Sequence, residues 1–279
     1  MRPGRKCFQH NNIRARLRTQ NSKLTYELLI LLPISFIAGA INAAVGGGGL
    51  IGVPALYSTL IHFSPAQIMG VDKFSSVMGH AMSIRQYAAK MDLPWRLMLP
   101  TVITAFAGSY LGVRLLDLMP SQWMRPIVIV VLAVMLVYTW FKPAFGHQDT
   151  SRTPTREDLI KGALLGLALG FYDGFIGPGT GSFLLFLFVR FFHFDFLRAT
   201  ACAKVVNFGT NAATLVFLIP AGLVDYRLAV PLGVAAICGS IVGSHLAMRG
   251  GNHWIRRLFL ILAVSLLAKL SWETVRVWF

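Results

Sequence analysis

Two lysines and two glycine-rich runs carry the most chemical meaning in this chain. Gly46-Gly47-Gly48-Gly49 interrupts one apolar stretch, and Gly177-Pro178-Gly179-Thr180-Gly181 interrupts another. Lys73 and Lys204 each follow one of these runs and lie near apolar segments. A glycine run ends a helix. Inside an apolar stretch that frees N–H and C=O groups, which a ligand or a water-lined cavity must satisfy. The segments resuming near Leu50 and Ser182 would present open amides and partial positive charge, a terminus suited to anions. Thr180 and Ser182 add hydroxyls there, and Pro178 removes a donor and fixes the backbone. A lysine in an apolar segment is costly and marks a functional site. Two of them near two helix N-termini predict a doubly positive site that selects anions.

One constant shift along the chain carries the first set onto the second, Gly46 onto Gly177 and Lys73 onto Lys204. The same shift places Asn42 on Asp173, His62-Phe63 on His193-Phe194 and Arg96-Leu97 on Arg227-Leu228. It also places Pro100 on Pro231, Gly108-Ser109 on Gly239-Ser240, Gly112 on Gly243 and Trp123 on Trp254, without a gap. Two copies of a membrane unit, each broken by Gly and Pro at the same place, form the pattern of a secondary transporter.

Other polar residues gather around the lysines. Thr200, Asn207, Thr210 and Asn211 recur at helical spacing around Lys204, so they can line one wall of a cavity. Ser75, Ser76, Gly79 and His80 occupy the neighbouring places around Lys73. Asp72 and Asp173 are the candidate proton carriers, and Asp72 alternatively holds Lys73 charged. Asn42 and Asp173 precede the two breaks and could cap or line them. The rival readings are structural: lysines snorkelling to headgroups, and small or polar residues packing helices together. Packing accounts well for Gly108, Gly112, Gly239 and Gly243, but poorly for four adjacent glycines. His62 and His193 read as interfacial residues, with no carboxylate or second histidine at metal-ligand spacing. The Phe-rich run over 183–196 reads as lipid-facing or packing. The phosphate-loop form fails, because no Lys-Ser or Lys-Thr follows Gly49 or Gly181. Neither a cofactor, a metal nor a catalytic set is expected, so the chain does not read as an enzyme.

The elements that must position these residues are membrane helices. Hydrophobic residues make up 55% of the 279 and charged residues only 13%, with mean hydropathy +0.62. A soluble domain carries about 25% charged residues. The fold class is therefore an all-α membrane protein, with about eight transmembrane helices in two repeats, each holding a broken or re-entrant helix. The expected organisation is a basic, disordered cytoplasmic tail over 1–23, a first repeat over 24–141, a polar linker over 142–158 and a second repeat over 159–279. The expected spans are 24–45, 66–84, 97–117, 125–141, 159–176, 197–218, 228–248 and 256–276, with short segments at 50–62 and 182–193. Pro33 could kink the first. With the N-terminus inside, inner segments hold 17 Lys and Arg residues and outer segments 7. That bias places both termini in the cytoplasm, although the Arg249–Arg257 cluster runs against it. The net charge of +15 follows this pattern rather than a nucleic-acid-binding one. Cys7, Cys202 and Cys238 lack a disulfide or metal spacing.

At these residues the chain resembles a known family. Ala38-Gly39-Ala40-Ile41-Asn42-Ala43-Ala44-Val45, followed by Gly46 to Gly49 and Leu50-Ile51-Gly52-Val53-Pro54, resembles the first-repeat motif of the TauE/SafE family of sulfite exporter-like permeases. Gly170-Phe171-Tyr172-Asp173-Gly174-Phe175-Ile176 running into Gly177 to Phe183, with Leu197 to Ala201 and Lys204-Val205-Val206-Asn207, resembles its second-repeat motif. The resemblance covers about residues 25–276. It implies a multi-pass permease of the bacterial inner membrane that exports sulfite or small organosulfonates. The chain departs at Val71-Asp72-Lys73, where first repeats of the family often read Thr-Asn-Lys. The added carboxylate bears on substrate charge and on proton coupling.

The expected function is a secondary transporter exporting a small anion across the cell membrane. The site would comprise Gly46, Gly47, Gly48, Gly49, Lys73, Asp173, Gly177, Pro178, Gly179, Thr180, Gly181, Ser182, Thr200, Lys204 and Asn207, with Asp72 and Asp173 in proton coupling. The second copy would supply most of the contacts. The alternatives are an anion channel and a non-transporting membrane subunit that docks a soluble partner through the tail. The expected partners are a small anion and the bilayer, without nucleic acid; a homo-oligomer is compatible with the composition.

Overall fold

A computed structural model describes the backbone of residues 4–118 and 154–250, with side chains over 24–116, 118 and 154–250. The expected spans at 125–141 and 256–276, most of the linker and the side chains of the basic tail lie outside the described residues. Among the described residues the chain forms eight helices and no strand. They are α1 (Gly4–Val45), α2 (Gly49–Thr59), α3 (Pro65–Ala88), α4 (Trp95–Leu118), α5 (Arg156–Phe175), α6 (Thr180–Phe192), α7 (Phe196–Leu218) and α8 (Tyr226–Gly250). The starts of α6, α7 and α8 follow those of α2, α3 and α4 by the same shift that relates the two halves of the sequence.

Two boundaries differ from the sequence reading. The backbone of α1 is helical from Gly4, where the sequence reading expects a disordered tail; residues 5–23 contain neither Gly nor Pro, so nothing in them stops the helix. The α1 helix also continues through Pro33. The linker is expected to reach residue 158, yet α5 starts at Arg156. Thr155 and Asp158 form a capping box there, each side chain meeting the other's backbone N–H.

Among the described residues four helical segments are long and apolar enough to cross a bilayer: Leu24–Val45, Trp95–Leu116, Phe196–Leu218 and Tyr226–Gly250. The expected spans at 66–84 and 159–176 are helical as α3 and α5 but not among these four. Asp72, Lys73 and His80 lower the hydropathy of α3, and Glu157, Asp158, Lys161 and Asp173 lower that of α5. Leu99, Ile103, Leu111, Leu164, Val216 and Val234 face outward, as they would toward lipid.

Close helix crossings hold the bundle together. Cβ atoms added at Gly108 and Gly112 of α4 would collide with the carbonyl oxygens of Leu167 and Phe171 on α5. Those at Gly239 and Gly243 of α8 would collide with the carbonyl oxygens of Phe36 and Ala40 on α1. The repeat shift maps Phe36 and Ala40 onto Leu167 and Phe171, so one crossing is used twice, and α4 and α8 each pack on the opposite half. The glycines are needed because the backbones touch. The Phe-rich stretch is mostly packing: Phe188, Phe192, Phe194 and Phe196 are buried in one apolar cluster with Leu184, Leu185 and Ala203.

Candidate functional site between the two breaks

The site begins where α1 and α5 stop. Gly46 (φ 81°) and Gly177 (φ 91°) take the left-handed conformation that only glycine adopts at little cost. The two are matched positions of the repeat. After each break a new helix starts, with Gly48 and Gly179 as N-caps and no side-chain cap; the amides of Leu50 and Ser182, expected to be open, instead donate to the Gly47 and Gly179 carbonyls. The breaks pack against each other: a Cβ on Gly46 would lie 2.6 Å from the Gly181 carbonyl oxygen, and one on Gly181 would lie 2.6 Å from that of Gly46.

The last carbonyls of α1 have no partner within the helix, so side chains must supply donors. Tyr87 donates to the Ala43 oxygen at 2.8 Å, Thr200 lies 3.4 Å from that of Ala44, and Ser182 lies 3.4 Å from that of Val45. Thr200 also donates to its own helix at Phe196, 2.7 Å away. At the second break Tyr172 donates to the Pro178 oxygen at 2.6 Å. Ser182 and Thr200 thus face the end of α1.

The two lysines cross between halves. Lys73 on α3 pairs with Asp173 on α5 at 2.9 Å, and both side chains are buried. Lys204 on α7, fully buried, donates to Asn42 Oδ1 on α1 at 3.2 Å. These are one arrangement in two chemistries, since the repeat shift maps Lys73 onto Lys204 and Asn42 onto Asp173. The expected doubly positive site is corrected here. Lys73 is neutralised by Asp173, leaving Lys204 with a neutral partner.

His80 joins the halves. Its Nε2 lies 2.9 Å from Asn42 Nδ2, and its Nδ1 lies 3.1 Å from the Asn211 side-chain amide. Lysine can only donate, so Asn42 Oδ1 accepts from Lys204 and its NH₂ must donate to Nε2. Asn211 Nδ2 lies against the other ring nitrogen, Nδ1. Asn42 thus links Lys204 to His80, and His80 links Asn42 to Asn211.

These groups surround a polar cavity of about 30 Å³ lined by Asn42, Gly46, Gly49, Val53, Asp72, Lys73, Ser76, His80, Asp173, Gly177, Pro178, Gly179, Thr180, Gly181, Asn207 and Asn211. An adjoining cavity of about 40 Å³ shares Asn42, Gly49, Asp72 and Ser76 with it and extends past Gly48 to Leu31, Leu56 and Leu232. The Thr180 hydroxyl lies 2.8 Å from Asp173 Oδ1 and 2.7 Å from the Gly177 oxygen, so one proton serves both.

Of the expected site residues, Gly46, Gly49, Asp72, Lys73, Asp173, Gly177, Pro178, Gly179, Thr180, Gly181 and Asn207 come together on this cavity. Gly48 lines the adjoining one. The Gly47 carbonyl accepts from Leu50 in the first turn of α2. Lys204 acts one residue back, through Asn42. His80, Ser76, Asn42 and Asn211, which the sequence reading places around the lysines and the breaks without naming them in the site, also line the cavity. The repeat carries the missing signal for two of them, because its shift maps His80 onto Asn211. Among the described residues no cluster of His, Cys, Asp and Glu could hold a metal ion.

A family model described as Sulfite exporter TauE/SafE matches residues 31–270. The chain is 32% identical over 248 residues to a probable membrane transporter protein, ORF9, of Sinorhizobium sp, covering 88% of this chain and 94% of the relative. It is 32% identical over 251 residues to a probable membrane transporter protein of Haemophilus influenzae, covering 88% and 95%. It is 28% identical over 245 residues to the probable membrane transporter protein YfcA of Escherichia coli K12, covering 88% and 90%. No solved structure matches the chain.

Proposed function

This chain belongs to the sulfite exporter TauE/SafE family of membrane transporters, and from that membership we propose that it is a secondary transporter exporting a small anion, such as sulfite or an organosulfonate, across the bacterial inner membrane. The observation that carries the reading is the meeting of two uncapped helix starts on one polar cavity, between lysines that pair across the halves. Uncapped N-termini bind anions through backbone amides. Discontinuous helices meeting at a repeat interface are where secondary transporters hold substrate. The recurrence of helix starts at one constant shift supports a two-repeat build of about eight spans, and the Lys and Arg bias of the sequence supports both termini in the cytoplasm.

In this reading Asp72 and Asp173 are the candidate proton carriers. The crossings of α4 on α5 and of α8 on α1 are the contacts about which one half rocks against the other. The test is counterflow of labelled sulfite, sulfonates and carboxylates in proteoliposomes. Saturable, trans-stimulated flux is expected. Flux without trans-stimulation would identify a channel. Full flux by Lys204→Ala for every anion would remove Lys204 from the site.

A further inference from the structure

The cavity is not uniformly suited to anions. Asp173 Oδ2 and Asn207 Oδ1 are buried without a hydrogen-bond partner. Asp173 is 3% exposed and Asn207 is 4%, and both line the cavity. Asp173 Oδ1 is already engaged by Lys73 and Thr180, which leaves Oδ2 as an acceptor with no donor. A buried acceptor without a partner is costly. Asn42, its counterpart in the first half, has both ends of its amide satisfied, by Lys204 and His80. Among the described residues the buried unmet acceptors, Asp173 Oδ2 and Asn207 Oδ1, both lie in the second half. Asp72 adds a second carboxylate to the same wall. An anion offering only acceptor atoms would bind at the helix starts but face these carboxylates unpaired.

We propose, building on the transporter reading above, that the site selects small oxyanions carrying their own hydrogen-bond donor: a hydroxyl, an acidic proton or an ammonium group. The oxyanion end lies at the uncapped starts of α2 and α6. The donor end meets Asp173 Oδ2, with Asn207 beside it. The substrate class is then hydroxy- or amino-alkanesulfonates and singly protonated oxyanions, rather than plain alkyl sulfonates.

The test uses the full-length purified protein and two ligands of nearly equal size, 2-hydroxyethanesulfonate and propane-1-sulfonate, titrated by calorimetry and by counterflow in proteoliposomes. The hydroxyl compound is expected to bind about tenfold tighter, the value of one hydrogen bond to a charged group. Asp173→Asn should erase most of that preference. The double variant Lys73→Met/Asp173→Asn, which leaves no buried charge unpaired, should erase it too. Equal affinity of the two ligands for the parent protein, with transport intact, would overturn the donor requirement and leave the transporter reading standing. Failure of every sulfonate, sulfite and carboxylate to bind would overturn both.

Discussion

Lys73 and Lys204 occupy the same place in the two halves, yet they should respond oppositely to removal. Lys73→Met leaves Asp173 charged and buried, with only the Thr180 hydroxyl as a partner. Breaking a buried ion pair from one side costs about 3–5 kcal/mol. Lys204→Met removes a buried charge whose partner is a neutral amide. It leaves Asn42 Oδ1 without a donor, a cost of about 1–3 kcal/mol, offset by no longer burying an ammonium group. The net change should lie within about 1 kcal/mol of the parent. The assay is reversible unfolding in mixed detergent micelles, with the denaturant slope held constant. Adding Asp173→Asn to Lys73→Met should recover about 2 kcal/mol or more, measured as a coupling energy. Asn keeps an Oδ1 for Thr180, so the rescue tests charge and not shape. Equal losses for the two lysine variants, or no rescue by Asp173→Asn, would refute the assigned pairing.

Two further expectations use the same pairing and packing. Asn42→Asp would give Lys204 a carboxylate partner and copy the Lys73–Asp173 arrangement; thermal stability in detergent should hold or rise, while counterflow falls at least tenfold as the remaining free lysine is neutralised. Gly170→Ala sets a Cβ against the Ala105 carbonyl oxygen and should cost about 1–3 kcal/mol, as overpacking does. By contrast, Gly49→Ala meets Pro178 Cα at an ordinary 3.6 Å and should leave unfolding nearly unchanged.

Much of the fold was legible because glycine punctuates it. The breaks at 46–49 and 177–181, and the half-helices after them, follow from backbone preference alone. The repeat shift survives in the structure as equal helix starts. The lysine pairing was not legible. It depends on which half touches which, and a sequence repeat gives correspondence without contact. Asp173 lies closer in sequence to Lys204 than to Lys73, so a reading within each half would pair the wrong groups. Ser182 reads as a hydroxyl beside a break and Thr200 as a neighbour of Lys204, and their proximity to the last carbonyls of α1 depends on the same contact between halves. His80 reads with Ser75 and Ser76 as a neighbour of Lys73, but its contacts with Asn42 and Asn211 depend on helix packing that the sequence does not show.

In the proposed reading, duplication alone does not make the site. Two identical halves would give two Lys–Asn crossings or two Lys–Asp crossings. The first would leave two buried ammonium groups facing one small cavity, with only amides to hold them. The second would neutralise both lysines and leave little attraction for an anion beyond the helix ends. With Asn42 in one half and Asp173 in the other, one lysine is held by a carboxylate and the other by a neutral amide. The same difference leaves Asp173 Oδ2 unpartnered while Asn42 is saturated through His80. Asn42 against Asp173, together with Ser76 against Asn207 and His80 against Asn211, thus makes the two halves line the cavity with unlike groups.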